Sequence, residues 1–150
     1  MKWFTISELC RSEKATKLKI DNTPTPGIEQ NLERLVANIL DPLREAWGVP
    51  IDVTSGYRCP VLNKAVGGVK NSQHLTGQAA DIRIYSRDAS GKYIRDKKGN
   101  KIVDRAANRR LFQLIQSMGL PFDQLIDESN FSWVHVSFDT SRNRREVKKL

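Results

Sequence analysis

The chain is sparing with residues that build metal and redox sites: 150 residues hold two histidines, two cysteines and two methionines. Cys10 and Cys59 lie far apart and form no Cys-x-x-Cys pair, which excludes a cysteine zinc finger or a thioredoxin-type redox motif. Free thiols are the expectation for a chain made in the cytosol, a single disulfide being the alternative. Cys59 has no stronger claim to be a nucleophile than to be a small packed residue. No apolar run approaches the ~20 residues that span a bilayer. The start, Met1 to Glu8, carries one basic side chain and then Glu8 and Arg11 before any apolar stretch develops, so it does not read as a secretory signal. The expectation is synthesis in the cytoplasm. Nine glycines and six prolines are too few for a fibrous or low-complexity chain.

What the chain has is basic charge. Twenty-five Lys and Arg against 17 Asp and Glu give a net +8, which favours anionic partners: nucleic acid, acidic lipid or a polyanionic cell wall. Aromatic residues are only 7%, and no helix-turn-helix pattern, stacking platform or Cys/His finger accompanies the charge, so no specific nucleic-acid partner is expected. Part of the excess sits in a basic C-terminal tail at 141–150, read as a solvated end.

The length suits one domain over 1–150 with its own core. A short helix is expected at Thr5 to Cys10. Ile28, Leu32, Leu35, Val36, Ile39, Leu40 and Leu43 keep helical spacing, with Thr25 and Pro26 at the start and Pro42 predicting a kink or an early end. A second long helix follows Asp104 and runs to Gly119. Alternating segments at 51–54, 81–85, 122–126 and 133–138 read as strands. A polar hairpin around Lys98-Gly99-Asn100 predicts an exposed insertion at 88–103. Helices early and strands late predict an α+β fold, a small antiparallel sheet with helices packed on one side.

The long irregular stretch from Tyr57 to Ala80 is the kind of segment that carries function in a compact domain. It holds His74, seven residues before Asp81. His135 lies in Trp133-Val134-His135-Val136-Ser137-Phe138, where alternation puts His135 on the face opposite the apolar residues. If the two strands are neighbours, His74, Asp81 and His135 form a nitrogen and oxygen set of the type that holds catalytic zinc and leaves a position open for water.

Ser72-Gln73-His74-Leu75-Thr76-Gly77-Gln78-Ala79-Ala80-Asp81 resembles the S-x-H-x-x-G-x-A-x-D signature of the zinc D-Ala-D-Ala carboxypeptidases and L-alanyl-D-glutamate endopeptidases, relatives of the hedgehog signalling domain. Ser55-Gly56-Tyr57-Arg58 resembles the family's S-G-Y-R segment, and Trp133-Val134-His135-Val136-Ser137 its closing W-x-H-x-S strand. The resemblance covers roughly Ile28 to Phe138. It implies a hedgehog/DD-peptidase-like fold, Zn2+ held by His74, Asp81 and His135, and Arg58 as the cation that meets substrate. The alternative for Arg58 is a surface ion pair. Ser72 would add a hydrogen bond to substrate or else stabilise its turn. Many relatives carry an acid three positions before the last histidine, where this chain has Ser132. Glu128 is therefore the preferred general base, ahead of Asp127.

The function these features imply is a zinc metallopeptidase that hydrolyses amide bonds in peptidoglycan stem peptides. With no signal recognised at the start, a phage or prophage lysis enzyme (endolysin) is expected, acting on the cell wall after release or as a virion-associated protein. The alternative is a non-catalytic, zinc-containing module that binds cell wall or protein.

Overall fold

The computed structural model describes all of residues 1–150. Thr5 opens α1 (Ile6–Cys10) by accepting from the Glu8 amide, and Ser12 opens α2 (Glu13–Leu18) by accepting from that of Ala15. Periodicity passes over α2 because only Ala15 is buried in it. Thr25 caps α3 (Pro26–Leu35), with Pro26 at the first helical position, where its missing N–H costs nothing. The helical path then widens to a π turn over Val36–Leu40 and continues as α4 (Asp41–Trp47), which Gly48 ends at φ +86°. Pro42 thus neither stops nor sharply breaks the path. Its ring would clash with the carbonyl four residues back in an α turn, and the wider turn absorbs that conflict. Val36, Ile39, Leu40 and Leu43 stay buried throughout.

Next come β1 (Asp52–Ser55), α5 (Pro60–Ala65), a 3-10 turn (Gln73–Thr76) and β2 (Ala79–Arg83), which begins two residues before its expected start. Helix α6 (Arg105–Ser117) starts at Asp104, whose carboxylate accepts from the Ala107 amide. It is followed by β3 (Gln124–Glu128), β4 (Trp133–Ser137) and β5 (Glu146–Lys149). The fold is α+β. The five strands lie in the order β1-β2-β4-β3-β5, antiparallel except for the parallel pair β3 and β5.

Two of these features differ from the charge and hairpin readings. The tail is more than a solvated end: Gln124–Asp127 pairs in register with Glu146–Lys149, so the basic side chains stay exposed while the backbone closes the β3 edge. Between β2 and α6 the chain makes two tight turns, not one. Asp88 accepts from the amides of Ser90 and Lys92, and Asp96 from those of Lys98 and Asn100. Isolated bridges join Arg87 to Tyr93 and Arg95 to Lys101.

Alternation gives the sheet two distinct faces. Ala80, Ile82, Leu125, Val134 and Val136 join residues of α3, the π turn, α4 and α6 in one apolar core. Asp81, His135, Ile126 and Glu128 fall on the opposite face. Both cysteines are free thiols, and burial, with Glu29 nearby, pushes Cys10 up to about 11.

The tail is pinned by Asp123, which is fully buried. Its carboxylate accepts from the Arg144 amide at 3.0 Å, from Arg144 Nε and Nη2 at 2.8 and 3.0 Å, and from Gln73 Nε2 at 2.9 Å. These bonds, with Arg144 foremost, hold the Asp123 carboxyl down at about 2. Replacing it by Asp123→Asn should cost about 2 kcal/mol in denaturant unfolding at neutral pH. A lowered folded-state pKa means that this stability is fully present above the ordinary value of 3.8 and is lost as pH falls toward about 2. The gap between the two proteins should accordingly close over that interval.

Candidate metal centre

Antiparallel register places the second face in order. Asp81 stands opposite His135, and His135 opposite Ile126, so their side chains project from adjacent strands in one row. An extra residue in β1, Thr54, brings Ser55 opposite Asp81. His74 arrives from outside the sheet. Ser72 Oγ accepts from the His74 amide and starts the 3-10 turn, and Gly77 ends it at φ +72°. A Cβ on Gly77 would meet Ile28 at 2.9 Å, so only glycine lets the chain drop past α3 into β2.

The His74 ring has one defined protonation pattern when neutral. Nδ1 lies 2.7 Å from the Gly56 carbonyl, which can only accept, so Nδ1 carries the proton and Nε2 presents a lone pair. That lone pair is 3.3 Å from Asp81 Oδ1, and His135 Nδ1 is 3.1 Å from the same oxygen. All three residues are buried, and the ligating atoms of the set lie within 4.8 Å of one another. Burial pushes the Asp81 carboxyl up, but the charge that His74 carries when protonated and the hydrogen bond with His135 outweigh it and hold the group well below the usual carboxylate range.

A divalent cation fits this set. Ligand atoms at ~2.0–2.2 Å around a tetrahedral zinc stand roughly 3.3 Å apart, close to the 3.3 and 3.1 Å that separate Asp81 Oδ1 from the His74 and His135 nitrogens. Neutral His74 also leaves Nε2 and the Asp81 oxygen as two acceptors face to face, an arrangement that a cation between them resolves. Behind the set, Arg58 Nη2 donates to Asp81 Oδ2 at 3.1 Å, Nε to Ser55 Oγ at 2.9 Å and Nη1 to Asn63 Oδ1 at 3.3 Å. The guanidinium therefore holds one carboxylate oxygen and leaves the other to the imidazoles.

The set opens into a cavity of about 630 Å3 whose lining includes Arg58, Ser72, Trp133 and Glu128. Burial and the Asp81 charge raise the Glu128 carboxyl above its ordinary value, partly offset by His135. Asp127 does not line this cavity; its Oδ1 accepts from the Phe131 amide at 2.6 Å within the β3–β4 turn. In that turn Ser129, Asn130 and Phe131 all have positive φ. Arg105 Nη1 donates to the carbonyls of Ser129 and Asn130, and Asn108 Nδ2 to those of Phe131 and Ser132. Helix α6 thereby sets where Glu128 stands. Ser132 sits in the turn, its amide donating to the Glu128 carbonyl. Sequence reasoning missed the supports Asn63, Asn108 and Gln73. An asparagine inside a helical pattern, or a glutamine beside a histidine, has no spacing signal to mark it.

The family model described as Peptidase M15 matches residues 2–102. The chain belongs to the peptidase M15 family. That match takes in Arg58, Ser72, His74 and Asp81 and stops short of Glu128 and His135, which the sheet register brings to them. No curated protein matches the chain. M15 peptidases of the D-Ala-D-Ala carboxypeptidase-like type are zinc-dependent, and the buried His–Asp–His group of this member could hold such an ion.

Metal titration followed by thermal unfolding checks the centre. Added Zn2+ should raise the melting temperature of the wild-type protein and leave His74→Ala and His135→Ala unmoved. Arg58→Ala should weaken zinc about 10–100-fold through loss of the hold on Asp81. Unchanged zinc affinity in that variant would return Arg58 to a purely substrate-facing role.

Proposed function

We propose that this M15 peptidase uses Zn2+ to hydrolyse amide bonds in peptidoglycan stem peptides, as a D-Ala-D-Ala carboxypeptidase or an L-alanyl-D-glutamate endopeptidase does. The observation that carries the reading is Asp81 Oδ1 facing two imidazole nitrogens at 3.1 and 3.3 Å at the head of a cavity that also holds Glu128. When bound by His74, Asp81 and His135, the cation would supply Lewis-acid polarisation and lower the pKa of water.

The remaining work falls to this chain's own groups. Glu128 takes a proton from the attacking water and passes it to the amide nitrogen as the C–N bond breaks, so the products are a carboxylate and an amine. Its raised pKa suits both halves of that transfer. Arg58 orients Asp81 by donating to its Oδ2, and its place in the lining offers positive charge to a substrate carboxylate or to the carbonyl oxygen as charge develops there. Ser72 secures the turn that carries His74. The +8 surface favours a carboxylate-rich wall. The protein would be made in the cytoplasm and meet its substrate after release or on a virion, in the manner of a phage or prophage lysis enzyme.

Zinc-loaded protein incubated with purified cell walls should release new amino groups. Glu128→Gln should keep its metal and lose activity by about 10²–10⁴-fold. Because the base must be ionised, wild-type activity should rise with pH as Glu128 loses its proton, and Glu128→Gln should lack that limb. Zinc binding without any new amino groups would instead support a non-catalytic wall-binding or protein-binding module, the reading motivated by Ser132.

A further inference from the structure

Beyond Arg58 lies a second hollow of about 410 Å3, which no step described above uses. Arg58 and Val66 border both it and the metal-centre cavity, so the two hollows are neighbours that meet at these side chains. Its lining is unusual in charge. Arg11, Lys14, Arg83 and Lys101 face it, and none has a carboxylate within 4.0 Å. Of the two acids present, Asp52 is already engaged by Tyr93 Oη at 2.8 Å and by Arg87 at 3.7 Å.

Arg83 stands out. It lies two residues after Asp81 in β2, hence on the same face of the sheet. Its guanidinium rests 5.6 Å from the Tyr85 ring and 5.7 Å from that of Trp133, which also borders the metal-centre cavity. Its Nε is buried and has no hydrogen-bond partner. The segment after β2 adds the other cation: Lys101 Nζ sits 4.0 Å from the Tyr93 ring and 5.2 Å from that of Tyr85. A partly desolvated planar donor fork beside unpaired positive charge matches a carboxylate in both shape and sign.

We propose that this hollow is a second anion subsite beside the metal-centre cavity, where Arg83 and Lys101 hold a free carboxylate of the peptide at a position flanking the bond that is cut. The assignment rests on the peptidase reading for the identity of the peptide. It makes the double-turned segment between β2 and α6 part of substrate recognition.

The test is an NMR titration with glutarate, a dicarboxylate with no amide bond to cut, against its diamide and against inorganic phosphate. The acid should shift the signals of Arg83 and Lys101. The diamide, and the acid with Arg83→Gln or Lys101→Gln, should bind at least tenfold more weakly. Lys101 is exposed, so Lys101→Gln serves even if Arg83→Gln fails to fold. Equal affinity in Lys101→Gln, equal affinity for the diamide, or equal affinity for phosphate would overturn the subsite. The titration needs no hydrolysis: intact binding without wall cleavage would sink the peptidase reading alone, and cleavage with binding indifferent to Lys101 would sink the subsite alone.

Discussion

One carboxylate organises this protein. Asp81 uses both of its oxygens, Oδ1 toward two imidazoles and Oδ2 toward Arg58, and no other side chain hydrogen-bonds or ion-pairs with all three of those groups. A buried negative charge is costly unless it is paired and hydrogen-bonded, and each partner here comes from a different part of the chain. His135 is delivered by sheet register, His74 by a glycine-ended 3-10 turn, and Arg58 by the loop after β1. The burial that would disfavour the charge would also strengthen the hold of this spot on a cation.

The sheet divides its labour by parity. Alternate residues of β2 and β4 enter the apolar core, as Leu125 of β3 does, and Asp81, Ile126, Glu128, Trp133 and His135 on the other face line the cavity. A one-residue slip in any central pairing would send Asp81 or His135 into the core and an apolar residue into the site, so the hydrophobic contacts that stabilise the fold also specify the register of the chemistry. Helix α6 contributes at a distance. Through Arg105 and Asn108 it grips a turn of three left-handed residues, a conformation that non-glycine side chains adopt only when held, and Glu128 sits at the entrance to that turn.

Much of this was legible before any coordinates. Alternation at Trp133 to Phe138 is enough to aim His135 away from the core, and the Ser72 to Asp81 signature carries His74 and Asp81 together. The long helix, its cap at Thr25 and the cap of α6 at Asp104 follow from local chemistry that tertiary packing did not override. What stayed hidden was non-local. No pattern in the tail announces that Glu146–Lys149 will pair in parallel with β3, since a parallel partner can lie anywhere along the chain. Which of Glu128 and Asp127 faces the cavity depends on where a strand ends and on which neighbour offers an amide, and the Phe131 amide that engages Asp127 comes into view only in three dimensions. Arg58 illustrates the same limit: sequence marks a cation, and packing shows that it braces Asp81.

Gly56 links regions that look unrelated. Its carbonyl accepts from the His74 ring, while its Cα lies so close to Leu9 that a Cβ would fall 2.1 Å from the Leu9 carbonyl oxygen. The next amide, Tyr57, donates to that same oxygen at 2.9 Å. The opening helix is thus a wedge under the imidazole. Fraying of α1 would unseat Gly56 and free the ring to rotate, so solvent exchange at the Tyr57 amide and reorientation of His74 belong to a single local opening event, and the rigidity of the centre is set from the far end of the chain.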